Sequence, residues 1–404
     1  MDLFEKCRSF TRADETKALG LYPYFRPIEE SEGPVVRIGG KKVIMAGSNN
    51  YLGLTADPRV KEAAVKATEK YGTGCSGSRY LTGTLDLHVE LEERLAAFFG
   101  KEDCLLYSTG YQTAQGVIPT LVQRGEFVVS DKDNHACIVA GNLMAAGAAS
   151  YVPNGEQGVV RYKHNDMKHL ETVISKLPRE AAKLIVSDGV FSTSGEIVDL
   201  PNMVQVARKY NARVMVDDAH AVGVIGKGGR GTASHYGLEK ETDLTMGTFS
   251  KTFAVTGGYV AGSRQLVDYL RFFSRSYMFS ASLTPPVVAS VLAGIEFLEQ
   301  HPERVRQLRE NVQYLLGGLR AAGYDVSCQS AILPIFIPQH INIRKVISRL
   351  HQEGIFVNGI SYPAVSKDRQ RLRVSVMATL TRPDLDFAVD KFAKVGREFG
   401  ILSK

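Results

Sequence analysis

Arg213-Val214-Met215-Val216-Asp217-Asp218-Ala219-His220 runs through three apolar residues, two of them β-branched, and closes on two carboxylates and an imidazole. A short continuous apolar run of this kind reads as a strand buried on both faces, as in a parallel sheet flanked by helices. Ligands of such sheets gather at the carboxyl ends of the strands, which is where Asp217 falls. A carboxylate buried there needs a cationic partner, because taking an unpaired charge out of water is costly.

The same texture recurs on either side. Cys104-Leu105-Leu106-Tyr107, Phe127-Val128-Val129-Ser130, Lys183-Leu184-Ile185-Val186, Leu244-Thr245-Met246 and Gly258-Tyr259-Val260 read as further buried strands, with helical segments such as 201–209 between most of them. This alternation predicts a doubly wound α/β domain around a mostly parallel sheet. Asp57-Pro58 caps a helix running to about Tyr71, and the helix from His88 to Phe99 stops at Gly100. After Pro285-Pro286 the pattern changes to helices interleaved with a few strands, among them Ile332 to Ile337, Ile355 to Val357 and Leu372 to Val376. The expected organisation is therefore an arm over 1–45, a large domain over 46–284 and a small α+β domain over 285–404. In the arm, Leu21-Tyr22-Pro23-Tyr24-Phe25-Arg26-Pro27 offers three aromatics around two prolines, to pack on a partner subunit or on its own domain.

A second chemical stretch lies downstream, where Asp243-Leu244-Thr245-Met246-Gly247 leads into Thr248-Phe249-Ser250-Lys251. A lysine at the mouth of a site is partly desolvated, which lowers its pKa and makes it usable as a nucleophile or base. Hydroxyls one and three residues before it are placed to donate to a phosphate. An amine, short polar groups for a phosphate, and the Asp217 carboxylate for a protonated pyridine nitrogen together suit pyridoxal 5'-phosphate. Ser108-Thr109-Gly110-Tyr111 follows a strand and opens a helix, whose free N–H groups bind phosphate without a charged side chain. His135 also lies just past a strand end; its flat imidazole suits stacking on a flat ring, with a polar helix-capping turn as the alternative.

Other chemistries find no footing. Gly72-Thr73-Gly74-Cys75-Ser76-Gly77 matches G-x-G-x-x-G, but it follows a helix, whereas a dinucleotide loop must follow a strand. It reads as a structural or substrate-side loop. No G-K-[ST] or G-x-S-x-G is present, and none of the nine histidines belongs to H-E-x-x-H or a paired-cysteine site, so no catalytic metal is expected. Of 404 residues 44% are hydrophobic and 23% charged, and the net charge of +6 is dispersed, which argues against a nucleic-acid partner. Five cysteines without C-x-x-C spacing predict free thiols in a reducing compartment. No apolar run reaches the length of a membrane span and the N-terminus is no signal peptide, so a cytoplasmic location is expected, with peripheral membrane contact left open.

Taken together and in order, these stretches resemble the α-oxoamine synthases, fold type I pyridoxal-phosphate enzymes that join an amino acid to an acyl-CoA. Asn49-Asn50-Tyr51-Leu52-Gly53-Leu54 is similar to the family's S-N-x-Y-L-G. The segment from Gly72 to Gly83 resembles G-[ST]-G-x-x-x-S-R-x-x-x-G, and His88 to Glu92 resembles H-x-x-L-E. Phe191-Ser192, Val216 to His220 and Gly247 to Lys251 match in spacing as well as identity. The resemblance implies that Lys251 carries the Schiff base, Asp217 pairs with the pyridine nitrogen and His135 stacks on the ring. Ser192 and His220 lie near the phenolic oxygen, while backbone at Gly110 and Tyr111, with Thr248 and Ser250, holds the phosphate. Ser280 reaches that phosphate from the other subunit of a homodimer, and Asn49 and Arg373 receive the substrate carboxylate. Stretches at Gly20 to Pro27, Met278 to Ser282 and Ile332 to Ile337 resemble the branch that condenses L-serine with a long-chain acyl-CoA such as palmitoyl-CoA. Gly354 to Pro363 resembles the glycine C-acetyltransferase branch, and 8-amino-7-oxononanoate synthesis is a further alternative. Ala140, Thr193-Ser194 and Leu380 depart from the family pattern, leaving the cofactor residues intact and the substrate open.

Overall fold

The computed structural model describes residues 2–149, 158–362 and 364–403; Pro363, the last residue of the stretch beginning at Gly354, lies outside them. The chain forms two compact units, one of residues 49–309 and one of 1–48 together with 310–404.

The larger unit is built on one sheet of seven strands: β1 (Asp103–Tyr107), β2 (Phe127–Asp131), β3 (Val159–Tyr162), β4 (Lys183–Asp188), β5 (Arg213–Asp217), β6 (Leu244–Thr248) and β7 (Gly258–Gly262). Their order is β1-β7-β6-β5-β4-β2-β3. Neighbours are parallel except at β7, which runs antiparallel to both β6 and β1. Burial on both faces explains the unbroken apolar runs. Met215 joins a cluster with Leu105, Val128, Val186, Met246 and Val260 on one face. Val214 and Val216 join Val129, Ile185, Leu170 and Met203 on the other. Each such side chain contributes roughly 1.5–3 kcal/mol when fully buried. The edge strand β3 was not anticipated: of its four residues only Tyr162 is buried, and exposed Arg161 interrupts the apolar signal.

Helices α1 (Pro58–Tyr71), α2 (Asp86–Phe99), α3 (Gly110–Leu121) and α4 (Ala136–Ala149) belong to this unit. Asp57 caps α1 by accepting the Arg59 N–H at 3.0 Å, as its Asp-Pro start predicts. The helix Pro285–Gln300, expected to open the small domain, lies in the larger unit and packs against α1 and α2. Its apolar residues Val288, Val291, Ile295 and Leu298 are buried, so the proline pair marks a helix start and the unit continues past it. The glycine-rich loop after α1 closes on itself. A Cβ at Gly83 would stand 2.3 Å from the Gly77 carbonyl and 2.4 Å from Ser282 Oγ, so this contact accounts for the glycines there.

In the smaller unit, Ile332–Phe336 and Asn358–Ile360 flank Arg371–Ser375 in an antiparallel sheet. Residues of the expected arm form its second sheet: Val35–Ile38 pairs with Lys41–Met45, which pairs in parallel with Ile355–Phe356. Arg26 Nη1 lies 3.0 Å from His351 Nδ1, tying the aromatic stretch to the same unit, while Phe25 stays exposed.

Candidate active site

Strand register lines the site up along one edge of the seven-stranded sheet. Asp188, the last residue of β4, is the partner of Asp217, the last residue of β5, and Asp217 is the partner of Met246 on β6. Gly258 on β7 lies between Thr248 and Tyr107, which brings the carboxyl ends of β6 and β1 to the same edge.

Asp217 is buried, and each of its carboxylate oxygens has a donor. Oδ1 accepts the Ala219 N–H at 2.9 Å and Oδ2 accepts the Cys137 S–H at 3.6 Å. Lys251 is half-buried, and its positive charge acts on His135, Cys137 and Asp188, the same groups that feel the Asp217 carboxylate. His135 is held through its backbone, whose N–H donates to the Asp188 carboxylate at 3.1 and 3.3 Å. The preceding Asn134 donates from Nδ2 to the Val186 carbonyl and to Ser130 Oγ, and its Oδ1 accepts the Asp188 N–H, all at 2.9 Å. The turn carrying His135 is therefore fastened to β4 and β2. His135 Nδ1 accepts the Cys137 N–H at 3.3 Å, which assigns the ring proton to Nε2. Desolvation by surrounding protein lowers the imidazole's pKa; Asp217 opposes that shift and Lys251 adds to it, so the ring stays neutral.

His220 is buried, with Nδ1 2.7 Å from the hydroxyl of the fully buried Tyr51. Ser192 is half-buried in the turn after β4. At the other end of the site, α3 begins at Gly110, and Thr109 Oγ1 caps it by accepting the Gln112 N–H at 3.0 Å. The helix start presses on the strand ends: a Cβ at Gly110 would lie 2.6 Å from Thr248 Cβ, and one at Gly258 would lie 2.7 Å from Gly110 N. Thr248 Oγ1 donates to the Gly257 carbonyl and lies 2.9 Å from exposed Ser250 Oγ. Free N–H groups and a hydroxyl pair thus meet in a cradle suited to an anion. Tyr111 is exposed beside it, and Ser280 Oγ accepts from Gln112 Nε2 of the same chain at 3.4 Å.

Asn49 is half-buried at the start of this unit, its carbonyl accepting the Tyr51 N–H at 2.8 Å. Arg373 belongs to the smaller unit, buried in Arg371–Ser375, where Nη1 donates to Ser375 Oγ at 2.9 Å. The larger unit thus brings together Asp217, Lys251 and His135, and separately Gly110, Thr248 and Ser250. Sequence reasoning missed Asp188, Cys137 and Tyr51. Asp188 carried a usable signal, since it ends a buried strand just as Asp217 does. Tyr51 stands at the tyrosine of the S-N-x-Y-L-G resemblance, but its partner His220 is distant in sequence; Cys137 carried no signal, because its partner Asp217 is distant too. Among the described residues no group of three or more His, Cys, Asp or Glu could hold a metal, and no helix is long and apolar enough to cross a membrane.

Residues 41–392 match the family described as aminotransferase class I and II. The chain belongs to this family. A serine palmitoyltransferase of Sphingobacterium spiritivorum is 46% identical over 402 residues, 99% of this chain and 98% of the relative. An 8-amino-7-oxononanoate synthase of Petrotoga mobilis is 39% identical over 405 residues, covering both chains in full. Among solved structures, a serine palmitoyltransferase of S. paucimobilis with a bound pyridoxal-phosphate adduct of myriocin is 34% identical, with a TM-score of 0.93 and 100% of both chains covered. Both activities are those of α-oxoamine synthases, and the chain is an enzyme of this acyltransferase group with the type I fold.

Proposed function

We propose that the chain condenses an amino acid, L-serine by preference, with a long-chain acyl-CoA such as palmitoyl-CoA. The products are 3-ketodihydrosphingosine, free coenzyme A and CO2, and the cofactor is pyridoxal 5'-phosphate. The observation that carries this reading is the buried Asp217 carboxylate, whose charge acts on the same His135, Cys137 and Asp188 that feel Lys251, at the sheet edge that also holds the Gly110 anion cradle. The residues fit the group: a carboxylate with both oxygens oriented suits a protonated pyridine nitrogen, and a glycine-lined helix start suits a phosphate. Lys251 and Asp217 would hold it, with His135 against the ring and Ser192 and His220 toward its phenolic oxygen. Gly110, Tyr111, Thr248 and Ser250 would hold the phosphate, joined by the partner's Ser280 in a homodimer.

When bound, pyridoxal phosphate supplies an electron sink for charge developing at the substrate α-carbon. This chain's residues supply the proton handling and the positioning. Lys251 Nζ takes the α-proton, and the carboxylate of Asp217 keeps the ring nitrogen protonated. By resemblance Asn49 and Arg373 are each candidates for the substrate carboxylate, for which a planar guanidinium fork is well shaped. The neutral His135, with its proton on Nε2, donates to the thioester oxygen as charge develops there. The dispersed net charge of +6 tolerates the anionic coenzyme A, and the free cysteines accord with a cytoplasmic enzyme.

A panel of amino acids against acyl-CoAs of graded length, followed by thiol release, tests the substrates. Burying an alkyl chain gains about 0.8 kcal/mol per CH2, so each two carbons should raise affinity over tenfold until the chain no longer fits. Turnover of glycine with acetyl-CoA and none of serine with palmitoyl-CoA would move the chain to the short-donor branch. Glycine and alanine are the other amino acids to include, and the 39% identity to an 8-amino-7-oxononanoate synthase keeps that activity as the alternative.

A further inference from the structure

We propose that Cys137 is a positioning residue for the cofactor, its thiol fixing the Asp217 carboxylate in a single orientation beside the His135 ring. The inference rests on the assignment of Asp217 to the cofactor nitrogen. Cys137 is buried in the first turn of α4, and its sulfur lies between two groups of the site: 3.6 Å from Asp217 Oδ2 and 3.0 Å from His135 Nδ1. A thiol has one proton to give. Nδ1 already accepts the Cys137 backbone N–H at 3.3 Å, which directs the thiol proton to Oδ2. Oδ1 is meanwhile held by the Ala219 N–H at 2.9 Å.

The carboxylate is therefore gripped from two independent elements, the turn that follows β5 and the start of α4. Donors on both oxygens fix the plane of the group, and with it the direction in which it can receive a further proton. A freely rotating carboxylate would have to be ordered on cofactor binding, at a cost in affinity. Burial first, and then the Asp217 charge, raise the thiol's pKa, so Cys137 remains a protonated donor at any working pH. One residue thus links the ring-facing histidine to the nitrogen-facing aspartate: through its N–H it sets the His135 tautomer, and through its S–H it sets the Asp217 rotamer.

Two variants separate hydrogen bonding from packing. Cys137→Ser keeps a donor, whereas Cys137→Val fills the site with an apolar side chain and removes the donor. The readouts are the rate of pyridoxal phosphate loss from the holoenzyme, its dissociation constant, and the pH midpoint of the visible band of the lysine-bound cofactor. Expected is an affinity loss of about tenfold in Cys137→Val, or ~1.4 kcal/mol, with a displaced pH midpoint, and values within about twofold of wild type in Cys137→Ser. A wild-type Cys137→Val beside an impaired Cys137→Ser would overturn the proposal in favour of packing, as would wild-type behaviour in both. Cys137→Ala replaces the valine variant if thermal melting shows that the valine does not fit. Asp217→Asn, measured alongside, tells the two levels apart. If it is impaired while Cys137→Val is not, only the role of Cys137 fails; if it too retains cofactor and band unchanged, the Asp217 assignment fails with it.

Discussion

Gly110→Ala is the most direct probe of the anion cradle. The added Cβ would stand 2.6 Å from Thr248 Cβ, against an ordinary contact of 3.4 Å or more, so helix start and strand end must part by about 0.8 Å. Gly110 has an unexceptional φ, so the effect is one of space alone. The atoms that must move, the first backbone of α3 and the Thr248 side chain, are those assigned to the phosphate. A hydrogen bond of about 2.9 Å opened by that much passes beyond bonding distance. Loss of one bond to a charged acceptor costs roughly 1.5–3 kcal/mol, which is about 10- to 150-fold in affinity. The assay is titration of pyridoxal phosphate into the resolved enzyme, followed by its visible absorption, with inorganic phosphate as competitor. Gly110→Ala should bind the cofactor that much more weakly and lose protection by phosphate, while its thermal melting without cofactor falls only slightly. Wild-type affinity in a folded Gly110→Ala would refute the cradle, because no phosphate held by those N–H groups could ignore the displacement.

Lys251→Ala should abolish the yellow colour of the purified protein while leaving a measurable, weaker affinity for the cofactor through the phosphate end; a variant that remains yellow would mean another amine carries the aldehyde. A pH effect follows from His164, which bridges Asp131 at 3.2 Å and Glu196 at 3.0 Å and lies edge-on to Phe191 at 4.3 Å. Burial opposes the charged ring, but its N–H hydrogen bonds to the two carboxylates outweigh it and raise the pKa from 6.5 to about 9. A raised folded-state pKa means that the stabilisation is complete below 6.5 and disappears as pH rises through 9. At its upper bound it amounts to about 3 kcal/mol, so the urea midpoint of the holoenzyme should fall between about pH 6 and about pH 10, and His164→Gln should remove most of that fall. An equal fall in the variant would assign the effect to other groups.

The legible parts of this molecule are those with short-range causes. Strands β1, β2, β4, β5, β6 and β7 announced themselves because burial on both faces demands unbroken apolar runs. The edge strand β3 has a solvent-facing side, so Arg161 is tolerated there and the run breaks. Lys251, Asp217 and the start of α3 were visible for the same local reason: each is a polar group at the end of a buried element. The limit of the larger unit was obscure because Pro285-Pro286 does two jobs in sequence; it ends a loop and begins a helix, and only packing tells which side of a boundary that helix serves. Side-chain bridges such as Tyr51 to His220 and Cys137 to Asp217 arise from chain crossings and leave no local trace.

The pair Asp188 and Asp217 shows why the register of the sheet matters to the chemistry. Both end buried parallel strands, both are almost wholly shielded from water, and they are direct neighbours across β4 and β5. Two buried carboxylates so placed do not both ionise readily. Burial first, then the charge of Asp217, push the Asp188 carboxyl well above its usual range, while the His135 N–H and Lys251 act against that rise. Burial and its neighbour's charge thus drive Asp188 toward its neutral, protonated form. An acid at Asp188 still accepts the His135 N–H through its carbonyl oxygen, so the turn beneath the imidazole stays fastened without adding a second charge to the site. A neutral Asp188 adds no charge to the groups on which Lys251 acts. A second ionised carboxylate would hold the ammonium protonated and unfit to accept the α-proton. The identical residue type at two adjacent strand ends thus meets two different surroundings, with Asp188 turned into a neutral anchor by burial and by its neighbour's charge, a difference set by the fold and absent from the sequence of either strand.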